Sequence, residues 1–196
     1  MRISSGRRRV LASVAAVAAA SALVWPGHAS GHPSATPLAL RSSALAPGRT
    51  IYRNQVYDRL GCSGGNISPA LSWYHAPAGT HSFAVLMFDS DAPGGGWWHW
   101  VVFDIPAAVR SLRAGAGDPP KHLLPPGAVQ VRNDFGNPGY GGPCPPPGPP
   151  HHYHVRLYAL RLSKLGLNVS ASPAQVAARV MANALGEAEI VGLYSR

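Results

Sequence analysis

Two acids, a strand histidine and a histidine near a tyrosine are the residues of this 196-residue chain best suited to hold a polar small molecule. Asp89-Ser90-Asp91-Ala92-Pro93 follows directly on the apolar run Ser82–Phe88. A strand that ends in a Pro turn projects carboxylates toward a cleft. The same pattern also suits two turn-forming Asp residues that bond their own backbone. His99-Trp100 opens the next apolar run. Runs joined by a short loop tend to pair, which would set His99 opposite Asp89 or Asp91. A carboxylate beside an imidazole fixes its tautomer and raises its pKa.

A third segment, Gly139–Pro150, is rich in Gly and Pro and leads into His151-His152-Tyr153. Such a run cannot be a helix or a central strand. Its glycines allow close backbone approach, and exposed Gly N–H groups can form an anion-binding nest. A polyproline-like linker is the alternative, but a strand resumes at Tyr153, which ties the loop to the core. An Asp in an anion site needs an explanation, because two like charges 4 Å apart repel by about 4 kcal/mol at an effective dielectric near 20. Either Asp89 shares a proton with the ligand, or it holds His99 or His151 as a charged donor. The N–H groups of Gly141 and Gly142 and the Tyr153 hydroxyl would complete the site. Anion affinity is then expected to fall as the pocket histidines lose charge.

Asp89, His99 and Tyr153 also make an acid/base set. No Ser or Cys is clearly placed as a nucleophile, and Cys144, near His151, is the nearest. His151, His152 and His154 alternate along a strand and point opposite ways, so no metal is expected, and no cofactor. The two cysteines, Cys62 and Cys144, both lie in Gly-containing loops. An oxidising compartment would favour a disulfide between them; two buried free thiols are the alternative.

The elements that must position these residues are mostly strands. Ser82–Phe88 and His99–Ile105 are short apolar runs, and Tyr153–Leu160 alternates, with Tyr153, Val155 and Leu157 on one face and His154, Arg156 and Tyr158 on the other. Leu71–Trp73 and Glu189–Tyr194 read as further strands. One helix is signalled by an N-cap Ser172, Pro173 at its first position and Gln175 at its third. Val176, Val180 and Ala184 follow at helical spacing, and Gly186 reads as the stop. Strands first and one late helix predict a mostly β, α+β fold with two packed antiparallel sheets.

The N-terminus reads as a targeting segment. MRISSGRRR is basic, Val10–Trp25 is apolar, and Gly27-His28-Ala29 fits a signal-peptidase site. Residues 1–29 are therefore expected to be a signal peptide, 30–35 a flexible leader and 36–196 the mature domain. The apolar run is shorter than the roughly 20 residues of a membrane span, and no Cys lies near the cleavage site to take a lipid. Arg7-Arg8-Arg9-Val10-Leu11 resembles a twin-arginine export signal, although three Arg in an ordinary signal look much the same. Arg2, Arg7, Arg8 and Arg9 supply four of the charges behind the net +9. The other basic residues are scattered without interleaved aromatics, which argues against nucleic-acid binding and leaves only mild attraction to anionic membrane surfaces. With 46% hydrophobic and 13% charged residues, wholesale disorder is excluded.

Five segments in order, NISPALSW (Asn66–Trp73), DSDAP (Asp89–Pro93), HWVVFDIPA (His99–Ala107), NDFGNPGYGGPCPPPG (Asn133–Gly148) and HHYHVRLYAL (His151–Leu160), resemble the phosphatidylethanolamine-binding protein family, in its bacterial, Raf-kinase-inhibitor-like branch. The resemblance runs from about Leu40 to Arg196. It implies an antiparallel β-sandwich with a small C-terminal helical part and one cavity for phosphate, phosphoryl headgroups or similar anions. Carried over by position, the ligand-binding set is Asp89, Asp91, His99, Gly142, Pro145, Pro146, His151 and Tyr153. Ser90 and His152 depart from the pattern, which has Pro and Arg there; His152 replaces a permanent cation with one that titrates near neutral pH. The implied function is an exported protein binding a small anionic or phosphoryl ligand. Alternatives are an inhibitor docking a kinase or protease at the pocket rim, with Trp97 and Trp98 as its apolar patch, and a weak hydrolase using the Asp/His/Tyr cluster.

Overall fold

A computed structural model describes residues 36–196. The expected signal peptide and leader lie outside the described residues. Among the described residues, two antiparallel sheets and one α-helix make the fold. The central sheet has five strands in the order β6-β4-β3-β7-β8, with β3 at Ser82–Asp89, β4 at Trp97–Pro106, β6 at Val129–Gln130, β7 at His151–Leu160 and β8 at Ala184–Tyr194. A smaller sheet runs β1-β2-β5, from Ala39–Arg41, Leu71–Tyr74 and Ser111–Leu112. The helix α1 spans Pro173–Met181.

Alternation along the strands decides which layer covers which face. In β3, Phe83, Val85 and Met87 share a buried cluster with Leu71 and Trp73 of the small sheet. Ala84 and Leu86 point the other way, into a cluster with Val176, Ala177 and Val180 of α1. The β7 residues split as their period of two predicts: Val155 and Leu157 join the first cluster, Tyr158 and Leu160 the second. β3 is thus buried on both faces, and its sequence shows a continuous apolar run in place of alternation.

The helix starts where its sequence says. Ser172 accepts from the Gln175 backbone N–H, and the Gln175 side chain returns a bond to the Ser172 N–H. Its end differs from expectation. Ala182 is the C-cap, and Ala184 and Gly186 belong to β8, which pairs with β7 from Leu160↔Ala184 to His151↔Tyr194. Pairing along a ten-residue neighbour outweighed one more helical turn. The strands β1, β5 and β6 are only two or three residues long and carry no period to read.

Cys62 and Cys144 are joined, with Cα atoms 6.0 Å apart and a sequence separation of 82. In the chain-entropy model, a loop of that length contributes roughly 4–5 kcal/mol. Reducing the bond, or replacing both cysteines by Ser, should lower the urea midpoint by a corresponding amount. Two titratable thiols in unfolded, unreduced protein would contradict the bond.

Candidate functional site

One row of the central sheet builds the floor of a cavity. Asp89 ends β3, and its partners are Trp97 on β4 and Tyr153 on β7. Directly opposed residues share a face, so indole, carboxylate and phenol lie side by side. All three line a cavity of about 330 Å³. His151, two residues before Tyr153, points to the same side and lines it too. Phe135, Leu60 and the Cys144-Pro145-Pro146 segment form the walls.

His99 arrives by a different route from the one expected. Trp98 pairs with Phe88 and Trp100 with Met87, so His99 is the extra residue of a β-bulge. The bulge lets His99 face the cavity while the adjacent Trp100 still points into the inner core. His99 does not bond an Asp. Its Nδ1 lies 2.6 Å from the Gly141 carbonyl, and the Gly141 N–H donates back to the His99 carbonyl at 2.9 Å. A carbonyl can only accept, so the proton sits on Nδ1 and Nε2 keeps its lone pair. Burial drives the pKa of His99 down to about 4, against the raising effects of the Gly141 carbonyl and Asp89. This histidine is neutral at neutral pH, which removes it as a source of positive charge.

The carboxylate–imidazole pair in the cavity is Asp89 with His151. His151 Nδ1 is 2.7 Å from Asp89 Oδ2. Asp89 is 3% exposed, and its other oxygen accepts from the Asp91 N–H at 2.9 Å. A buried carboxylate needs such partners, since an unpaired buried charge costs several kcal/mol.

Asp91 and Gly142 are not among the lining residues. The Asp91 carboxylate accepts from the backbone N–H and Nδ1 of His152, at 2.6 and 2.8 Å. The backbone hydrogen bond, then the side-chain one, lowers its pKa. Nor is there a free nest in the Gly-rich loop. Gly141 N–H serves His99, and Gly142 N–H donates to Asn66 Oδ1 at 2.9 Å. Gly142 is required for space, because a Cβ there would collide with the Gln55 carbonyl. Cys144 is bonded to Cys62 and is no nucleophile. Trp97 and Trp98 are both partly buried, Trp98 against Phe88 at 4.6 Å between ring centroids, so they do not form an exposed patch.

Two donors of the cavity lining have no partner. Tyr153 Oη and Trp97 Nε1 are buried without a hydrogen bond in the protein. Burial first, and then the nearby Asp89 carboxylate, push the Tyr153 hydroxyl far above its ordinary range, so it stays protonated. Asp89 acts on it by its charge and its close approach, but the two fall outside hydrogen-bond geometry.

Phe135 escaped the sequence reading. It stacks on Tyr57 at 4.2 Å and meets Trp97 and His99 edge-on at 5.4 and 5.5 Å. It lies inside the NDFGNPGYGG segment, yet a loop has no period to say where its aromatic points.

The neutral state of His99 has a measurable sign. Its folded pKa is depressed, so below an unfolded value near 6.5 the unfolded chain binds a proton that the folded chain refuses. Stability falls as pH drops from about 6.5 to about 4, by on the order of 3 kcal/mol. By NMR, the His99 ring signals should hold still from pH 7 to about 5. Titration of His99 near 6.5 would contradict its desolvation.

The comparisons with known proteins agree with this fold. Residues 41–195 match the family model described as phosphatidylethanolamine-binding protein. The UPF0098 protein YbcL of Escherichia coli K12 is 46% identical over 155 residues, 78% of this chain and 85% of that protein. LppC of Mycobacterium tuberculosis H37Rv, named as a lipoprotein, is 36% identical over 163 residues, 83% of this chain and 74% of its own. The crystal structure of E. coli YbcL, described as a new member of the mammalian PEBP family, superposes with a TM-score of 0.80 at 44% identity, covering 82% of this chain and 99% of that one. The chain belongs to the phosphatidylethanolamine-binding protein family, a ligand-binding fold.

Proposed function

We propose that this chain is an exported binding protein whose cavity takes a small phosphoryl-type oxyanion, free or as a headgroup. The observation that carries the reading is the pair of buried, unpartnered donors, Tyr153 Oη and Trp97 Nε1, beside the Asp89–His151 pair. Buried donors without partners are costly unless something else satisfies them, and ligand oxygens do so. When protonated, His151 cancels the charge of Asp89, so an incoming anion meets no net repulsion. The lone pair on His99 Nε2 adds an acceptor. Donors and acceptors together suit a ligand that carries both, such as a monohydrogen phosphate ester or a phosphoethanolamine zwitterion. Aromatic walls from Phe135, Trp97 and Tyr153 leave room for an apolar or cationic substituent.

Calorimetry with inorganic phosphate and phosphoethanolamine tests the site. Both should bind the native protein. Tyr153→Phe should weaken binding by about ten- to a hundred-fold, the worth of one hydrogen bond to a charged group. The same substitution deletes an unsatisfied hydroxyl, so thermal stability should hold or rise. No heat from either ligand, or unchanged affinity in Y153F, would sink the proposal.

Export rests on the basic, apolar and small-residue order of residues 1–29. Mature protein from the producing cell should begin after Ala29. If the twin-arginine route is used, replacing Arg7 and Arg8 by Lys should stop export; unchanged export would leave the general secretory route.

A further inference from the structure

The face of β7 turned away from the cavity carries a second polar constellation. Ser90 Oγ lies 3.1 Å from His154 Nε2, and His154 Nδ1 lies 2.8 Å from Glu189 Oε1. Three elements converge there: the turn after β3, the middle of β7 and the middle of β8. Strand pairing fixes the arrangement, because His154 stands opposite Phe88 and Val191, and Arg156 stands opposite Glu189.

The hydrogen bonds run in one direction. A carboxylate only accepts, so the His154 proton sits on Nδ1 and points at Glu189. In the neutral ring Nε2 keeps its lone pair and accepts from the Ser90 hydroxyl. Serine, imidazole and carboxylate linked in that order are the parts of an activated nucleophile: the imidazole takes the hydroxyl proton, and the acid holds the tautomer and stabilises the imidazolium. Partial burial works against the charge on Glu189, but hydrogen bonds from His154 and Arg156 outweigh it and keep the carboxyl below its usual range. Arg156 Nε donates to the same Oε1 at 2.6 Å, and its Nη2 comes within 3.4 Å of His154 Nδ1. The guanidinium fixes the acid in place. Ser90 itself is exposed, so a reagent can reach it.

We propose that Ser90, His154 and Glu189 form a nucleophilic serine site, separate from the cavity, that accepts acyl groups from small activated esters. Ser90 Oγ forms a bond to the acyl carbon while its proton passes to His154 Nε2. The bond from that carbon to the leaving aryl oxygen breaks, and His154 returns the proton to the leaving group. Water then cleaves the acyl-serine, with His154 taking a proton from the water and giving it back to Ser90. The two backbone N–H groups nearest the nucleophile are already committed, Ser90 N–H to the His152 carbonyl and Asp91 N–H to Asp89. Neither is free to stabilise an oxyanion. The reaction is therefore confined to good leaving groups, and amides are excluded.

Full-length mature protein treated with diisopropyl fluorophosphate should gain one phosphoryl adduct, with fluoride released, and peptide mapping should place it on Ser90. Slow turnover of p-nitrophenyl acetate should accompany it. Ser90→Ala should abolish both, and His154→Gln should slow labelling on the order of a hundred-fold, the contribution of a general base. Native circular dichroism would show the variants folded, and urea should erase the labelling of the native chain. An adduct absent from Ser90, or H154Q labelled as fast as the native chain, overturns the proposal. S90A that turns over the ester at the native rate does so equally.

Discussion

A single buried carboxylate organises this end of the molecule. Asp89 ends a strand that is covered on both faces, by the small sheet and by the helix. At 3% exposure it cannot rely on water. The sheet answers with His151 from β7, and the turn answers with the Asp91 N–H. Those bonds demand that β3 and β7 hold their register, and the same register sets Trp97 and Tyr153 beside the acid. The cavity lies where the buried apolar run of β3 ends in Asp89.

A bulge solves a second problem. Strict alternation would turn either His99 or Trp100 outward. Two residues of β4 against one step of β3 let both point inward, one into the cavity and one into the core. The paired bonds between His99 and Gly141 then pin the Gly-rich loop over the site. That loop's glycines serve packing. Gly142 sits where any Cβ would meet backbone, and its N–H is spent on Asn66. The loop acts as a wall of the cavity, and the free donors come from the sheet.

Much of this was readable from residue order. The alternation in Tyr153–Tyr158 assigned both faces of β7 correctly, because a period of two survives any neighbour. The helix start was legible for a similar reason: a capping box is local chemistry, closed within four residues. Its stop was not, since Val176, Val180 and Ala184 keep helical spacing while the pairing of β8 with β7 is set 24 residues or more away in sequence. Asp91 and Gly142 look like ligand groups as residue types. In the fold their polar atoms are committed to His152 and Asn66. Of the two partners open to Asp89, the fold supplies His151, and the bulge that sends His99 to the Gly141 carbonyl leaves no mark in composition.

The disulfide divides the cavity in a way that its position in sequence hides. Cys62 and Cys144 close a covalent ring that contains β2 to β6, with β7 and β8 outside it. Asp89, Trp97 and His99 belong to the ring; His151 and Tyr153 reach the site from beyond it. The cavity thus lies on a seam between a cyclised part of the chain and a part held to it by strand pairing, core packing and side-chain hydrogen bonds. A molecule that touches both sides of that seam is a rivet, and its grip fastens the open end of the chain to the closed one.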